Sequence, residues 1–408
     1  MKIFLLVVLL TAIFSTAAPM GAQCYQTLHQ DFQPQGSGSA TLVNPLPHDD
    51  TNPLTIIALG DSVVWGNGDD LPYKFVLNVS QRTADLTRRH VRLFSFAHSG
   101  AVLVGTNGAL VPSLGGIDQG DPNSSQPNIQ WSADCAAKVL PDAELVLVDG
   151  CINDVSATDI AIPWPFNWTS VEQIRDRVFA NCAQPVDKLL ESIRQTLPNA
   201  TIILNSYFLI VSDKSMPLLR TGVTPSEFTP EKEQRRLTKT QERLFLNSGQ
   251  ESALNTARKM GLPSWGQRSA EFYNDTMDCF DWAVAHANGL NPPALPPASG
   301  DHHCPAVTLT PQKATAVAHT YLAVVPSVAE NAYGTSHTHL WKLPIPFLWW
   351  TLRKDETFNK RAVICKALYP TEKDRFPCRI NPTAHPNLLG SEDFKTALLQ
   401  QLGIAWAR

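Results

Sequence analysis

The chain has 408 residues, of which 43% are hydrophobic and 17% charged, and its formal net charge at pH 7 is −4. This composition is typical of a globular protein with a sizeable core and excludes an intrinsically disordered chain. The slight excess of acidic residues gives no electrostatic basis for binding nucleic acid, which requires clustered lysine and arginine.

The first 22 residues have the pattern of a secretory signal peptide. A single lysine precedes an apolar run of about a dozen residues, and small residues follow it, with cleavage expected after Ala18 or Ala22. The apolar run is too short to cross a bilayer, and no later segment approaches the required length. We therefore expect residues 23–408 to form one secreted domain without a transmembrane segment.

The cysteines agree with export, because disulfides form in oxidising compartments. Eight cysteines predict up to four disulfides, whose pairing stays open. No Cys-x-x-Cys spacing occurs, so we expect neither a zinc site nor a redox motif. Asn-x-Ser/Thr sequons indicate surface loops that a glycosylating host would modify. They lie at Asn78, Asn123, Asn167, Asn199 and Asn274.

Short apolar runs predict buried strands, since each is rich in β-branched or aromatic residues and ends at glycine or at a polar or aromatic residue. Runs that are apolar on both faces suit parallel strands between two helical layers. In chain order they are Leu54–Gly60, Val91–Gly100, Ala143–Gly150 and Ala200–Phe208. The polar stretch before them, residues 24–53, is predicted to be an N-terminal arm pinned by Cys24.

Helical patterns follow the strands. Ser170–Leu197 opens with a capping box and contains Pro185, which should kink or split the helix. Thr229–Gly261 and Gly390–Ala405 are the other two patterns. Strands that alternate with helices predict an α/β sandwich around a parallel sheet. Residues 291–370 break this rhythm with proline-rich and aromatic stretches, and we predict an insertion or lid there, before the last helix.

Three predicted strands end in residues that suit nucleophilic chemistry, because ligands of such sheets bind beyond the carboxyl ends of the strands. Gly60-Asp61-Ser62 follows the first run, and a serine at a strand-to-helix turn exposes its Oγ. Gly100 lets a backbone N–H approach an oxyanion without a Cβ in the way, and Asn153 offers an amide donor. We predict Ser62 as the nucleophile, with the Ser62 N–H, the Gly100 N–H and the Asn153 amide as the oxyanion hole.

The candidate base is His385, which precedes the last helical pattern. A histidine in a turn at this position can fold back over the strand ends. It would take the proton from Ser62 and return it to the leaving group.

These motifs resemble, in chain order, the four motif blocks of the SGNH (GDSL-type) hydrolase superfamily. They are Gly60-Asp61-Ser62, Gly100, Asn153 and His385-Pro386-Asn387. The resemblance runs from about Leu54 to the C-terminus, apart from residues 291–370. It implies a three-layer α/β/α sandwich with a flavodoxin-like parallel sheet. It also implies cleavage of carboxylic esters by Ser62 and His385, with no metal and no cofactor.

Two positions depart from the family pattern. One extra residue separates Gly150 from Asn153, and Pro382 occupies the place of the family's aspartate, three residues before His385. No local acid therefore orients the histidine. We expect a backbone carbonyl to accept its Nδ1–H, and the sequence leaves Asn381, Asp301 and Asp374 open as alternatives.

The segment Asp301-His302-His303-Cys304 allows other interpretations. Its four letters also mark protein acyltransferases, but those require several membrane spans and a cysteine-rich zinc domain. Asp301 and His303 are a second candidate for the acid and base. A metal site is a further alternative, formed by His302, His303, His337 and His339. We favour a disulfide for Cys304 and loop positions for both adjacent histidines.

The sequence thus predicts a secreted serine esterase, lipase-like, that acts on a small-molecule, lipid or carbohydrate ester. The absence of a Gly-x-Ser-x-Gly elbow disfavours an α/β-hydrolase. A polysaccharide O-deacetylase is one alternative, and a catalytically inactive binding protein of the same fold is another. Residues 346–350 are predicted to be core or, alternatively, an acyl-chain pocket or lid. Acyl length, alcohol part and oligomeric state stay open.

Overall fold

A computed structural model describes most of the chain. The described residues are 24, 26–34, 49–69, 71–105, 126–161, 169–212, 215, 265–297, 302–307, 309, 319–333, 335, 337–341, 362–363, 365–367, 370–372, 375 and 384–406. Over these ranges, every helix is too short or too polar to cross a bilayer.

The centre of the protein is a six-stranded sheet with the order β1-β3-β2-β4-β5-β6. All neighbouring pairs are parallel except β1 and β3, which run antiparallel. Without the β1 edge, the order is that of flavodoxin-like sheets. The strands are β1 Leu28–Phe32, β2 Asp49–Leu59, β3 Arg89–Ser95, β4 Leu145–Val148, β5 Thr201–Asn205 and β6 Thr320–Ala323.

Helices cover both faces of the sheet. On one face α2 packs against α9, and on the other α7 packs against α3 and α8. The general rule that parallel crossovers are right-handed accounts for this division. The chain moves toward one edge of the sheet from β2 to β3 and toward the other edge from β3 to β4, which places α2 and α3 on opposite faces. The fold is therefore the three-layer α/β/α sandwich expected from the sequence. The helices are α1 Ser62–Trp65, α2 Phe75–Thr87, α3 Ile129–Val139, α4 Ile152–Val155, α5 Ala157–Ala161, α6 Val171–Val178, α7 Gln184–Thr196, α8 Trp265–Ala287 and α9 Leu388–Trp406.

The four predicted strands are confirmed as β2 to β5, and β4 and β5 are buried at every position. Residues 24–53 differ from the expectation of a simple arm, since they contribute β1 and the start of β2. β1 is an edge strand that is mostly exposed, so it carries polar residues and lacks the apolar pattern that reveals a buried strand. The predicted anchor is present, because Cys24 forms a disulfide with Cys135 of α3.

The helix predicted over residues 170–197 is present with its capping box. The Ser170 Oγ accepts the Gln173 N–H, and the Gln173 side chain accepts the Ser170 N–H. The helix is split as expected near Pro185, where a π-helical turn, Phe179–Ala183, separates α6 from α7. The last helix begins at Leu388, two residues before its predicted start. The predicted helix over residues 229–261 lies outside the described residues.

The predicted insertion overlaps the central sheet. Strand β6 falls within residues 291–370, so part of that range belongs to the central sheet, and the division into domain and lid stays a prediction. Two more disulfides join described cysteines, Cys151 with Cys182 and Cys279 with Cys304.

Of the sequons expected in loops, Asn199 lies in an exposed turn, whereas Asn78 and Asn274 lie within helices. Asn123 and Asn167 lie outside the described residues.

Candidate active site

The candidate site lies at the carboxyl ends of β2 and β4. Between these two strands the order in which the chain adds strands to the sheet reverses. In open α/β sheets this switch point leaves a crevice between the loops that follow the two central strands. Ser62 begins α1 directly after the β2 turn, and Asn153 lies in α4, directly after β4. The topology therefore brings two of the predicted blocks to one crevice.

Ser62 and His385 are in direct contact. The Nε2 of His385 lies 2.7 Å from the Oγ of Ser62, although 323 positions separate the residues in the chain. Ser62 is 6% exposed, so a substrate would meet its hydroxyl in a largely desolvated setting. The distance is that of a hydrogen bond between a nucleophile and its base.

Backbone hydrogen bonds join the His385 turn to a neighbouring segment of the chain. Residues 338–341, which we call the splint segment, run beside it. The Trp341 N–H donates to the His385 carbonyl at 2.9 Å, and the Ala384 N–H donates to the Trp341 carbonyl at 3.0 Å. The Asn387 N–H donates to the His339 carbonyl at 2.8 Å. This pairing fixes the backbone on both sides of the histidine.

Asn387 of the fourth motif and the nearby Gly390 contribute to the structure between His385 and α9. The Asn387 Oδ1 accepts the N–H groups of Leu389 and Gly390, at 2.9 and 3.2 Å, and so caps the start of α9. A Cβ on Gly390 would lie 2.5 Å from the His339 carbonyl oxygen. Glycine at this position therefore permits the close approach of α9 to the splint segment.

Two of the three candidate oxyanion donors, Gly100 and Asn153, lie close together. Gly100 has a φ of +82°, a conformation that favours glycine, and the Asn153 Nδ2 donates to the neighbouring Ala101 carbonyl at 2.9 Å. An amide nitrogen carries two hydrogens, so this bond leaves the second N–H for a ligand. The extra residue between Gly150 and Asn153 is accommodated by Cys151, which adopts a φ of +142°.

Two buried acidic residues, Asp61 and Asp149, and the partly buried Asp154 contact the loops of the site, and the sequence analysis assigned them no role. Asp61 is fully buried, and its carboxylate accepts the Val63 N–H at 2.8 Å and the Tyr207 hydroxyl at 2.6 Å. The Asp61 N–H donates to Asp149 Oδ1 at 2.9 Å. Both Oδ atoms of Asp154 accept the Leu103 N–H at 3.1 Å. One signal for Asp149 was available, an acidic residue at the end of a fully buried strand.

The protonation of these carboxyls is shifted by their surroundings. Burial raises the pKa of Asp61 to about 6, against the opposing effect of the Tyr207 hydrogen bond. Burial also raises the pKa of Asp149 well above its usual range, and the charge of Asp61 adds to the shift. For Asp154, burial raises the pKa to about 7. These carboxyls therefore hold protons more tightly in the folded protein than in the unfolded chain.

We expect the substitution Asp154→Asn to stabilise the protein at neutral and alkaline pH. Wild-type Asp154 contributes stability below its unfolded pKa, near 4, and loses that contribution as the pH rises through about 7. An amide does not titrate. The free energy of unfolding of the variant should therefore exceed that of wild type by a margin that grows between about pH 4 and pH 7 and then stays constant.

Urea denaturation at several pH values measures this margin. The matched control is Asp142→Asn, the same acid-to-amide change in an exposed turn. If the margin for Asp154→Asn did not change with pH, the pKa of Asp154 would not be raised by folding, and this prediction would be wrong.

The histidines of the 301–304 segment contact other partners. The Nδ1 of His302 lies 2.5 Å from Asp176 Oδ1, and the Nδ1 of His303 lies 3.2 Å from Asp275 Oδ1. Cys304 forms the expected disulfide with Cys279 of α8. These contacts tie the segment to α6 and α8.

Several predictions concern residues whose placement is not described. Asp301, Asp374, Asn381 and Pro382 lie outside the described residues, as does the aromatic stretch 346–350. The group that orients His385 stays a prediction. The Nδ1 of His339, proposed as an alternative metal ligand, contacts the carboxylate of Asp393 of α9.

No protein-family model matches the chain, and no curated protein matches it. Solved structures do resemble it. An extracellular lipase from Streptomyces rimosus is 10% identical, with a TM-score of 0.41, and the match covers 85% of this chain and 99% of that one. A phospholipase A1 from Streptomyces albidoflavus NA297 is 12% identical, with a TM-score of 0.36 and coverage of 85% and 98%.

A lipase from a goat rumen metagenome is 20% identical, with a TM-score of 0.27 over 38% of this chain. The match spans 65% of that lipase's length. The order of its motifs and the topology of its sheet are similar to those of the SGNH (GDSL-type) hydrolase superfamily.

Proposed function

We propose that the protein is a secreted serine hydrolase that cleaves carboxylic esters through an acyl-enzyme. The proposal is carried by the 2.7 Å contact between His385 Nε2 and Ser62 Oγ at the switch point of the sheet. A general base must lie within hydrogen-bond reach of the proton it removes, and this contact meets that requirement.

The first half of the reaction forms the acyl-enzyme. Ser62 Oγ attacks the ester carbonyl carbon while His385 Nε2 takes the hydroxyl proton. The negative charge that develops on the carbonyl oxygen is stabilised by the N–H groups of Ser62 and Gly100 and by the Asn153 amide. The tetrahedral intermediate then collapses, the bond to the alcohol oxygen breaks, and His385 returns the proton to that oxygen.

The second half restores the enzyme. Water takes the place of the alcohol, and His385 removes a proton from it as it attacks the acyl carbon. The carboxylic acid leaves when the bond to Ser62 Oγ breaks and the oxygen regains its proton. Every proposed step uses only protein groups, the substrate and water, so the proposed reaction calls on no metal and no cofactor.

Secretion is part of the proposal. It rests on the signal-peptide pattern of residues 1–22 and on three disulfides that join distant parts of the described chain. Such disulfides persist in oxidising compartments and are rare in reducing ones.

One experiment tests both the reaction and secretion. Cells express the full chain, and their medium is assayed with p-nitrophenyl esters of increasing acyl length. We expect turnover in the medium that requires Ser62. Turnover of the acetyl ester alone would favour a deacetylase, and turnover of long chains would favour lipid esters. A folded, secreted protein without turnover on any ester would contradict the hydrolase assignment and favour a binding protein.

A further inference from the structure

Tyr207 lies just after β5, on neither of the loops that carry the candidate catalytic groups. Its side chain is 1% exposed. The rings of Phe272 and Phe280, both on α8, lie 5.4 and 6.2 Å from its ring. The phenol is therefore held by the core, and its hydroxyl has little freedom to move.

This hydroxyl joins two loops of the site. It donates to the Asp61 carboxylate at 2.6 Å, and it accepts the Ile152 N–H at 3.2 Å. Asp61 directly precedes Ser62, and Ile152 directly precedes Asn153. One oxygen atom thus bridges two loops. We call the turn after β2 that carries Ser62 the nucleophile turn, and the loop after β4 that carries Asn153 the oxyanion loop.

The nucleophile turn depends on Asp61. Its carboxylate caps α1 by accepting the Val63 N–H at 2.8 Å, and its backbone N–H is held by Asp149. The Tyr207 hydroxyl donates a further hydrogen bond to this carboxylate. Without that donor, one carboxylate oxygen would be buried and unsatisfied, which is costly for a charged group.

The oxyanion loop needs support from outside itself. Asn153 lies in α4, a single helical turn of four residues. The turn follows Cys151, whose φ of +142° is unfavourable for a residue with a Cβ. The Tyr207 hydroxyl accepts the first N–H of α4, that of Ile152, and so fixes where the turn begins.

We propose that Tyr207 is a positioning residue that holds the Asn153 amide in register with the Ser62 nucleophile. The inference rests on the proposed ester hydrolysis. Oxyanion donors act in the transition state and must meet a developing charge at a defined distance, so a small displacement lowers the rate without weakening substrate binding.

The test is the substitution Tyr207→Phe, which removes one oxygen and preserves the ring. We expect kcat to fall by about 10- to 100-fold and KM to change by less than about twofold. The matched control is Tyr321→Phe, at a buried tyrosine of β6, for which kcat should stay within about twofold of wild type.

A double-mutant cycle separates positioning from general destabilisation. If Tyr207 acts through Asn153, Tyr207→Phe should lower kcat by less than about threefold in an Asn153→Ala background. Losses that multiply in the double variant would overturn the inference, as would an unchanged kcat in Tyr207→Phe alone.

A second variant tests the same hydrogen bond if Tyr207→Phe does not fold. Asp61→Asn weakens that bond from its other end, and the same loss and the same non-additivity are expected. Turnover in wild type with no effect of either variant would overturn the inference and leave the hydrolase proposal intact. Absence of turnover in wild type would overturn both.

Discussion

Replacing Ser62 with alanine is expected to reduce ester turnover by about 10⁴-fold or more. Without the Oγ no acyl-enzyme forms, and the remaining rate comes only from substrate binding and the oxyanion donors. The melting temperature should change little, because one hydroxyl is removed and the backbone of α1 is held by Asp61. Hydrolysis of a p-nitrophenyl ester and thermal unfolding measure the two quantities.

The matched control for this substitution is Ser132→Ala. Ser132 is also buried, at 2% exposed, but it lies on α3, so turnover should stay within about twofold of wild type. A fluorophosphonate probe adds an independent readout, since wild type and Ser132→Ala should gain the mass of one adduct and Ser62→Ala none. Undiminished turnover in Ser62→Ala would mean that another group is the nucleophile.

His385→Ala is expected to have an effect of similar size, about 10⁴-fold in kcat. In the proposed mechanism the variant loses the group that takes the Ser62 proton and later delivers it to the leaving alcohol. Because the two residues act as a unit, the double variant Ser62→Ala/His385→Ala should be no slower than either single variant. Free imidazole should restore part of the turnover of His385→Ala and none of the turnover of Ser62→Ala.

His286→Ala is the control for the histidine. This residue lies on α8, where its Nδ1 contacts Asp187 at 2.7 Å, and its side chain is 52% exposed. The surface pair is expected to contribute little to stability and nothing to turnover. If His385→Ala retained the rate of His286→Ala, His385 would have only a structural role and would not be the base.

Local patterns were sufficient to predict much of the framework. The buried strands β2 to β5 were recognisable because a strand buried on both faces must be apolar throughout. The Ser170 capping box and Pro185 were equally clear, since capping and the loss of a backbone donor act within a few residues. The motifs around Ser62 and His385 are also only a few residues long, so the sequence identified both residues as a candidate pair.

Other features left no local pattern. β1 is a polar edge strand, and β6 has four residues within a stretch rich in proline and aromatic residues, so neither stood out as a strand. The splint segment pairs with the His385 turn through backbone groups, which any side chain would permit. Tyr207 contacts Asp61 and Ile152 across a large separation in the chain.

The sequence by itself determined the chemical groups of the candidate site and their order along the chain, because a nucleophile, a base and amide donors are properties of single residues. Only the tertiary structure decided that Ser62 and His385 touch, and that one tyrosine hydroxyl connects the nucleophile turn to the oxyanion loop. The physical reason is that such contacts depend on how strands and helices pack, and packing brings together residues that no short window of sequence contains.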